Sequence, residues 1–161
     1  MNNFGGSNTA IGSNSLTYNT NGNNNVANGF DSLNQNANGS NNTAVGTQSL
    51  RSNDASNNTA VGFNSLYTNY TGTENTAAGY RALYSNYAGG SNSAFGANAL
   101  YSSNGGLNNS ALGHNSLYTN SIGSSNTATG QQALYSNTIG NENTASGSNA
   151  LRANSSGNNN S

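Results

Sequence analysis

A short motif recurs along this 161-residue chain at a nearly fixed spacing. The unit reads N-T-A-x-G-x-x-[AS]-L-x-x-N-x-x-G-x-x, and its first glycine returns every 17 residues except for one step of 16, from Gly46 to Gly62. Successive copies of one short unit indicate a repeat architecture, in which each unit contacts mainly its neighbours. The motif therefore predicts a single repeat domain over residues 1–161, with nine repeats and a partial repeat at each end.

The composition favours an ordered polar fold over a disordered chain. Only 31% of the residues are hydrophobic and 4% are charged, and asparagine is the most frequent residue. Disordered chains combine low hydrophobicity with high net charge and proline, but here the net charge is −1 and there is no proline. The lack of proline suits a continuous hydrogen-bonded ladder, because proline has no N–H to donate.

Several classes of site and partner are disfavoured by what the sequence lacks. Without cysteine there is no disulfide, thiolate metal site or cysteine nucleophile. No apolar run approaches the roughly 20 residues of a membrane-spanning helix, so we predict no membrane insertion. Nucleic-acid binders cluster positive charge, whereas this chain has three scattered arginines and no lysine, so we predict no nucleic-acid partner.

Five positions of the unit are nearly invariant and form columns when the repeats are aligned. In the central repeats the columns are a first asparagine (Asn42, Asn58, Asn75), an alanine (Ala44, Ala60, Ala77), a first glycine (Gly46, Gly62, Gly79), a leucine (Leu50, Leu66, Leu83) and a second asparagine (Asn53, Asn69, Asn86). A second glycine follows ten residues after the first, and Ser56 is aligned with it in the shortened third repeat.

These columns predict an all-β fold, a parallel β-solenoid of about nine 17-residue coils. We expect two short strands per coil, one around T-A-x-G and one around [AS]-L-x, separated by turns in which glycine and asparagine supply positive φ. Stacked coils rise by about 4.8 Å and place identical residues above one another, so that asparagine side chains form ladders. Helical repeats are the alternative, but their units are about 33 residues or longer.

The same columns predict which residues form the interior. Ala77, Leu83 and their column mates are expected to point inward, while Thr76 and the asparagine-rich loops face solvent or form ladders. One leucine and one alanine per coil bury little apolar surface, so we predict that the chain associates with itself. Apolar residues such as Val61 and Phe95, between the alanine and the first glycine, would pack against a neighbouring chain or in the coil interior.

Three stretches carry a resemblance to a known family. Residues 42–46, 58–66 and 75–84 read N-T-A-V-G, N-T-A-V-G-F-N-S-L and N-T-A-A-G-Y-R-A-L-Y. They resemble the YadA-like head repeats of trimeric autotransporter adhesins and related N-T-A-x-G-x-x-A-L repeats of phage tail-fibre and bacterial surface proteins. The resemblance covers nearly the whole chain and implies a left-handed parallel β-roll, an intertwined homotrimer and a surface location. The unit here is longer than in the adhesin heads and richer in asparagine and tyrosine.

Catalytic chemistry has few candidate residues in this chain. The single histidine, His114, follows the first glycine at a position that accepts many residue types. The acids Asp31, Asp54, Glu74 and Glu142 are aligned at unrelated repeat positions, whereas acid–base pairs and calcium-binding repeats need carboxylates in register. We therefore predict no enzymatic activity, no metal site and no cofactor.

Tyrosines provide the best candidate for a binding surface. Five successive repeats carry a tyrosine directly after the leucine, which in stacked coils would form one ladder. These residues are Tyr67, Tyr84, Tyr101, Tyr118 and Tyr135. The ladder has two interpretations: packing between stacked rings, which stabilises by about 0.5–1.5 kcal/mol per pair, or a surface stripe that binds glycans or another filament.

A threonine column suggests a third possibility, since regular threonine ladders can order water on ice-binding proteins. The column comprises Thr9, Thr43, Thr59, Thr76, Thr127 and Thr144, with Ser93 and Ser110. Ice-binding surfaces usually pair their threonines as T-x-T, whereas this unit supplies one threonine per coil.

The sequence thus supports two main functional hypotheses. The first is a structural fibre or filament segment on a cell or virion surface, associated with itself end to end, as a homotrimer, or both. The second is an adhesin-type binding module that uses the tyrosine stripe, with ice binding through the threonine column as a lesser variant.

Overall fold

A computed structural model describes residues 5–161 as a parallel β-solenoid, with no helix in that range. The strands are β1 Thr9–Ile11, β2 Val26–Asn28, β3 Thr43–Val45, β4 Ser52–Asn53, β5 Thr59–Val61, β6 Thr68–Asn69, β7 Thr76–Ala78, β8 Ser85–Asn86, β9 Ser93–Phe95, β10 Ser110–Leu112, β11 Thr127–Thr129 and β12 Thr144–Ser146. The predicted β-solenoid is therefore confirmed.

The main sheet has nine three-residue strands, and every pair in it is parallel. Its order is β1-β2-β3-β5-β7-β9-β10-β11-β12, so that successive repeats supply successive strands. Identical repeat positions face one another, as Ala60 and Ala77 do between β5 and β7. One coil is thus one repeat, as the 17-residue period predicts.

The prediction of a second strand around [AS]-L-x is wrong. That segment is a turn, and a second strand begins two residues after the leucine in three coils only. These strands, β4, β6 and β8, form a small parallel sheet that an isolated bridge from Ser85 to Ser102 extends by one coil.

Three residues of the turn that replaces the expected strand have positive φ, and the glycine and the leucine among them explain its pattern. Gly79 has a φ of 137°, and a Cβ there would lie 2.6 Å from the carbonyl oxygen of Gly96. Leu83 also has positive φ, at 51°, as does the leucine of every coil. Because β-branched residues rarely adopt this conformation, the column accepts leucine rather than isoleucine or valine.

The residue before the leucine is buried in most coils, and its hydrogen bonding explains why both serine and alanine occur there. Ser65 is fully buried and its Oγ donates to the Gly62 carbonyl oxygen within the same turn, at 3.1 Å. Ala82 takes the same place in the next coil and needs no partner. A serine that satisfies its own hydroxyl and an alanine that has none are therefore both tolerated.

The core is a narrow stack of the alanine and leucine columns. Ala77 and Leu83 are fully buried and Thr76 is half-buried, which confirms their predicted orientations. The other central members are equally buried: Ala44, Ala60, Leu50 and Leu66. Each coil thus contributes only two or three small apolar groups to the interior.

The first asparagine column supplies polar contacts between coils from inside this narrow core. Asn58 Oδ1 accepts from the backbone N–H of Asn75 at 3.0 Å, and Asn58 Nδ2 donates to the Gly72 carbonyl oxygen in the next coil at 2.9 Å. The side chain therefore bonds forward along the axis with both its acceptor and its donor. The predicted asparagine ladder is confirmed and is buried.

The second asparagine column forms a parallel buried ladder. Asn69 Nδ2 donates to Asn53 Oδ1 and to the Gly72 carbonyl oxygen, each at 2.7 Å. The Gly72 carbonyl thus accepts from both asparagine columns, and a Cβ at Gly72 would collide with the Gly89 carbonyl oxygen. Glycine at this position therefore allows the close approach between these coils.

Candidate functional site

The five tyrosines predicted to align form one continuous stack on the outside of the coils. Successive ring centroids from Tyr67 to Tyr135 are 5.2, 5.1, 4.9 and 5.1 Å apart, and adjacent rings are within 11° of parallel. These spacings match the expected rise of about 4.8 Å per coil.

The stacking covers the faces of the tyrosine rings. Each inner ring has a neighbour on both faces, so it offers solvent only its edge and its hydroxyl group. Arg51 lies over the ring of Tyr67 with Cζ 5.8 Å from the centroid, and Arg152 lies over Tyr135 at 5.2 Å. The two arginines occupy the tyrosine column one coil before and one coil after the stack, so cations cover both ends of the ladder.

The third arginine also lies against the ladder. Arg81 Cζ is 5.1 Å from the ring centroid of Tyr80 and 5.6 Å from that of Tyr84. Cation–π contacts of this kind are worth about 0.5–1 kcal/mol at exposed sites. All three arginines therefore lie on one aromatic surface, but they stay spread along it, since Arg51 and Arg152 lie at opposite ends of the ladder.

The aromatic surroundings perturb one tyrosine hydroxyl. Burial raises the pKa of Tyr84 above its usual value, and the neighbouring hydroxyls of Tyr101 and Tyr67 raise it further. The positive charge of Arg81 opposes this increase. The net effect is a raised pKa, so the Tyr84 hydroxyl stays protonated to a higher pH than an ordinary tyrosine.

Two further aromatic pairs flank the ladder's coils. Phe63 and Tyr80 stack with their centroids 5.6 Å apart, in the column that directly follows the first glycine. Tyr70 and Tyr87, beside the second asparagine column, lie 4.9 Å apart but are inclined by 50°. Both pairs are exposed, unlike the half-buried ladder tyrosines.

The outer face of the main sheet carries the column between the alanine and the first glycine. Its apolar members point outward rather than into the coil: Val61 and Phe95 are each 43% exposed and Leu112 is 54% exposed. Of the two packing places predicted for this column, the coil interior is therefore wrong. The outward orientation leaves a strip of apolar side chains on the sheet face.

A one-residue deletion reshapes the loop of the third repeat. The run Asn36-Ala37-Asn38-Gly39 in the preceding coil corresponds to Asn53-Asp54-Ala55. Ala55, not Ser56, takes the place of the second glycine, since its carbonyl oxygen accepts from Asn42 Nδ2 and Asn53 Nδ2, each at 2.8 Å. Ser56 instead matches Ser40, whose N–H donates to Ser56 Oγ at 3.0 Å. The alignment of Ser56 with the glycine column is thus corrected.

The shortened loop borders an open cavity of about 210 Å³. It is lined by Gln35, Ala37, Ser52, Asn53, Asp54 and Tyr70. We call this cavity the notch. The one signal of the notch in the sequence is the single 16-residue step in the repeat, from which no site is predicted.

The titratable residues outside the aromatic surface do not converge. His114 is exposed, and residues 5–161 contain no group of three His, Cys, Asp or Glu side chains that could hold a metal ion. Asp31 pairs with Arg51, with Oδ2 3.4 Å from Nε. Glu74 and Glu142 do share a repeat position, contrary to the prediction of unrelated positions, but the coils of three other repeats separate them.

Comparisons with known proteins identify no relative of this chain. No family model, no curated protein and no solved structure matches this chain. Within the part of the chain that the structure describes, there is also no helix long and apolar enough to cross a membrane.

Proposed function

We propose that this protein is a structural segment of a fibre on a cell or virion surface, in which stacked coils form a stiff spacer. The observation that carries the proposal is the pair of buried asparagine ladders. Each side chain bonds to the adjacent coil, as Asn58 and Asn69 do, so contacts run along the axis from one repeat to the next. Such a rod can be lengthened by adding repeats without redesigning its core.

The surface location and the family remain parts of this proposal. They rest on the resemblance of the N-T-A-x-G units to head repeats of trimeric autotransporter adhesins and to phage tail-fibre repeats. The low charge and short polar side chains of the exterior are compatible with a segment that separates other parts of a fibre without binding them.

Self-association belongs to the same proposal, either as a homotrimer, by end-to-end stacking, or both. The exposed apolar side chains of Val61, Phe95 and Leu112 on the sheet face support a lateral interface, since burying them would add to a narrow core. Within residues 5–161, β1 and β12 each pair on one side only, and stacking of coils would pair the other edge.

The alternative of an adhesin that binds through the tyrosine ladder has weaker support. Sugar rings stack on the faces of aromatic side chains, but in the ladder those faces are covered by other rings and by Arg51 and Arg152. We therefore assign the ladder to packing between coils. This packing role is compatible with a second filament that contacts only the ring edges and hydroxyl groups of the ladder.

Ice binding through the threonine column has the least support. The two outward positions of each strand of the main sheet hold paired threonines only in β11, at Thr127 and Thr129. In β5 and β9 the second position is Val61 or Phe95. The regular two-column threonine surface that would order water is missing from these strands.

Immunogold electron microscopy with antibodies against the purified chain tests the fibre proposal. We expect label at regular positions along a surface fibre. Label confined to the cell interior would contradict the proposal. Sedimentation of the purified chain tests its assembly: a stable, folded species of 16.3 kDa at micromolar concentration would contradict self-association.

A further inference from the structure

We propose that the notch beside the deleted residue is a binding site for one neutral pyranose sugar ring. This proposal does not depend on the fibre function, since a spacer can carry such a site or lack it. Its starting point is the single 16-residue repeat, the one coil in which the loop after the second asparagine is a residue shorter.

The deletion creates a step between neighbouring loops. Asp54 stands where the preceding coil has Ala37 and Asn38, and the following coil has Tyr70 and Thr71. The shortened loop therefore places no aromatic residue against the face of Tyr70 that is turned toward Asp54. The opposite face is covered by Tyr87, whose ring is inclined by 50°. Tyr70 is 47% exposed and lines the notch. This is the feature that the tyrosine ladder lacks, an aromatic ring at the wall of a cavity.

The polar groups of the notch match the hydroxyls of a sugar. Gln35 Oε1 accepts from Ser52 Oγ at 2.9 Å, which orients the amide of Gln35. The exposed Asp54 carboxylate accepts from the Asn38 backbone N–H at 2.6 Å, and Asn38 Nδ2 lies 3.3 and 3.2 Å from its two oxygens. A carboxylate has about four acceptor sites, so it retains capacity for sugar hydroxyls. Oriented acceptors and donors beside an aromatic wall are the usual composition of a small-ligand site.

The size of the notch limits its occupant. Sites for drug-sized ligands are about 300–1,000 Å³, whereas the notch is about 210 Å³ and open to solvent. One small ring therefore fits, and a longer glycan would be held through a single residue. Ligands of this size in an open site bind weakly, with a Kd of about 1 mM.

Saturation-transfer NMR on the whole chain tests the proposal. The probes are the methyl pyranosides of glucose, galactose, mannose and N-acetylglucosamine. We expect at least one to bind with a Kd of about 1 mM, and Tyr70→Ala to weaken that binding by about tenfold or more. Tyr18→Ala is the matched control, because Tyr18 is an exposed tyrosine that does not line the notch, and it should leave the affinity unchanged.

A second variant keeps the test decisive if Tyr70→Ala does not fold. Inserting one asparagine between Asp54 and Ala55 restores the 17-residue spacing and should fill the notch, so binding should be lost while thermal stability is retained. Absence of binding for all four probes would overturn the proposal. So would unchanged binding in the insertion variant, which would place the sugar elsewhere on the chain.

Discussion

Ser103 occupies the place of an asparagine in the coil after Asn86, and neither Ser103 Oγ nor Asn86 Oδ1 has a hydrogen-bond partner within residues 5–161. Both side chains are fully buried. At the equivalent step elsewhere in this column, Asn137 Nδ2 donates to Asn120 Oδ1 at 2.7 Å. The serine thus interrupts a ladder that continues on either side of it.

The Ser103→Asn variant should therefore be more stable than the natural chain. It restores a donor for Asn86 Oδ1 and an acceptor for the next coil, and relieving one buried unpaired group is worth about 1–3 kcal/mol. Thermal unfolding should show a Tm higher by about 2–4 °C per kcal/mol. Ser102→Asn is the control, because Ser102 is only half-buried, and its Tm should hardly change. A lower Tm for Ser103→Asn would show that the site cannot accept the longer side chain.

The left-handed leucines give a second prediction. Leu100 is fully buried with a φ of 50°. Leu100→Ile keeps the volume but places a β-branched residue in a backbone conformation that costs about 1–3 kcal/mol. Denaturant unfolding should therefore show that the free energy of unfolding falls by at least this amount.

Two comparison variants isolate the backbone effect. Leu107→Ile changes an exposed leucine without positive φ and should alter stability by less than about 0.5 kcal/mol. Leu100→Met keeps an unbranched Cβ and should cost less than about 1.5 kcal/mol. If Leu100→Ile were no more damaging than Leu100→Met, the column would be leucine for reasons of shape alone.

The interior itself is tested by Leu83→Asp. This change buries a carboxylate without a partner and should unfold the chain or open it locally. Hydrogen exchange should then show lost protection in the coils around Leu83. Ile122→Asp, on an exposed loop residue, should leave protection unchanged. Unaltered thermal stability of Leu83→Asp would refute the inward orientation of the leucine column.

The tyrosine ladder predicts a loss of stability at high pH. The folded-state pKa of Tyr84 is raised above the ordinary tyrosine value, which is about 10, so the unfolded chain loses this proton at lower pH than the folded chain. The contribution of Tyr84 to the free energy of unfolding is therefore fully present below about pH 10. It is lost as the pH rises through the folded-state pKa. Tyr84→Phe should flatten this decline in pH-dependent thermal unfolding, whereas Tyr18→Phe should not. An equal decline in both variants would mean that Tyr84 makes no special contribution.

The sequence was sufficient to predict the parts of the fold that depend on residue type and period. A 17-residue spacing of alanine, leucine and asparagine predicts stacked coils, because identical residues in register are the simplest way to bury columns such as Ala77 and Leu83. The stacked tyrosines from Tyr67 to Tyr135 followed from the same spacing. These features require only that each coil repeat the previous one.

Features that depend on backbone conformation or on local exceptions were missed. The apolar leucine suggested a strand, but Leu83 turns inward through positive φ, which leucine rarely adopts. The alignment of Arg51 and Arg152 with the tyrosine column was visible in the sequence, yet contact with the end rings depends on side-chain geometry. Ser56 was aligned with the glycine because the place of a deletion is fixed only by hydrogen bonds such as those to Ala55.

Disulfide trapping tests the central claim, one coil per 17-residue repeat in parallel register, most directly because the natural chain has no cysteine. Thr76 and Ser93 are register partners in adjacent strands. Such strands lie about 4.7–4.9 Å apart, and disulfides require a Cα separation of about 4.4–6.8 Å. Ser93 is in turn the register partner of Ser110, so Thr76 and Ser110 lie two coils, or about 9.6 Å, apart. Mild oxidation at low protein concentration should link the Thr76→Cys/Ser93→Cys pair within one chain and leave the Thr76→Cys/Ser110→Cys pair reduced. Linkage of the second pair but not the first would contradict the one-repeat coil.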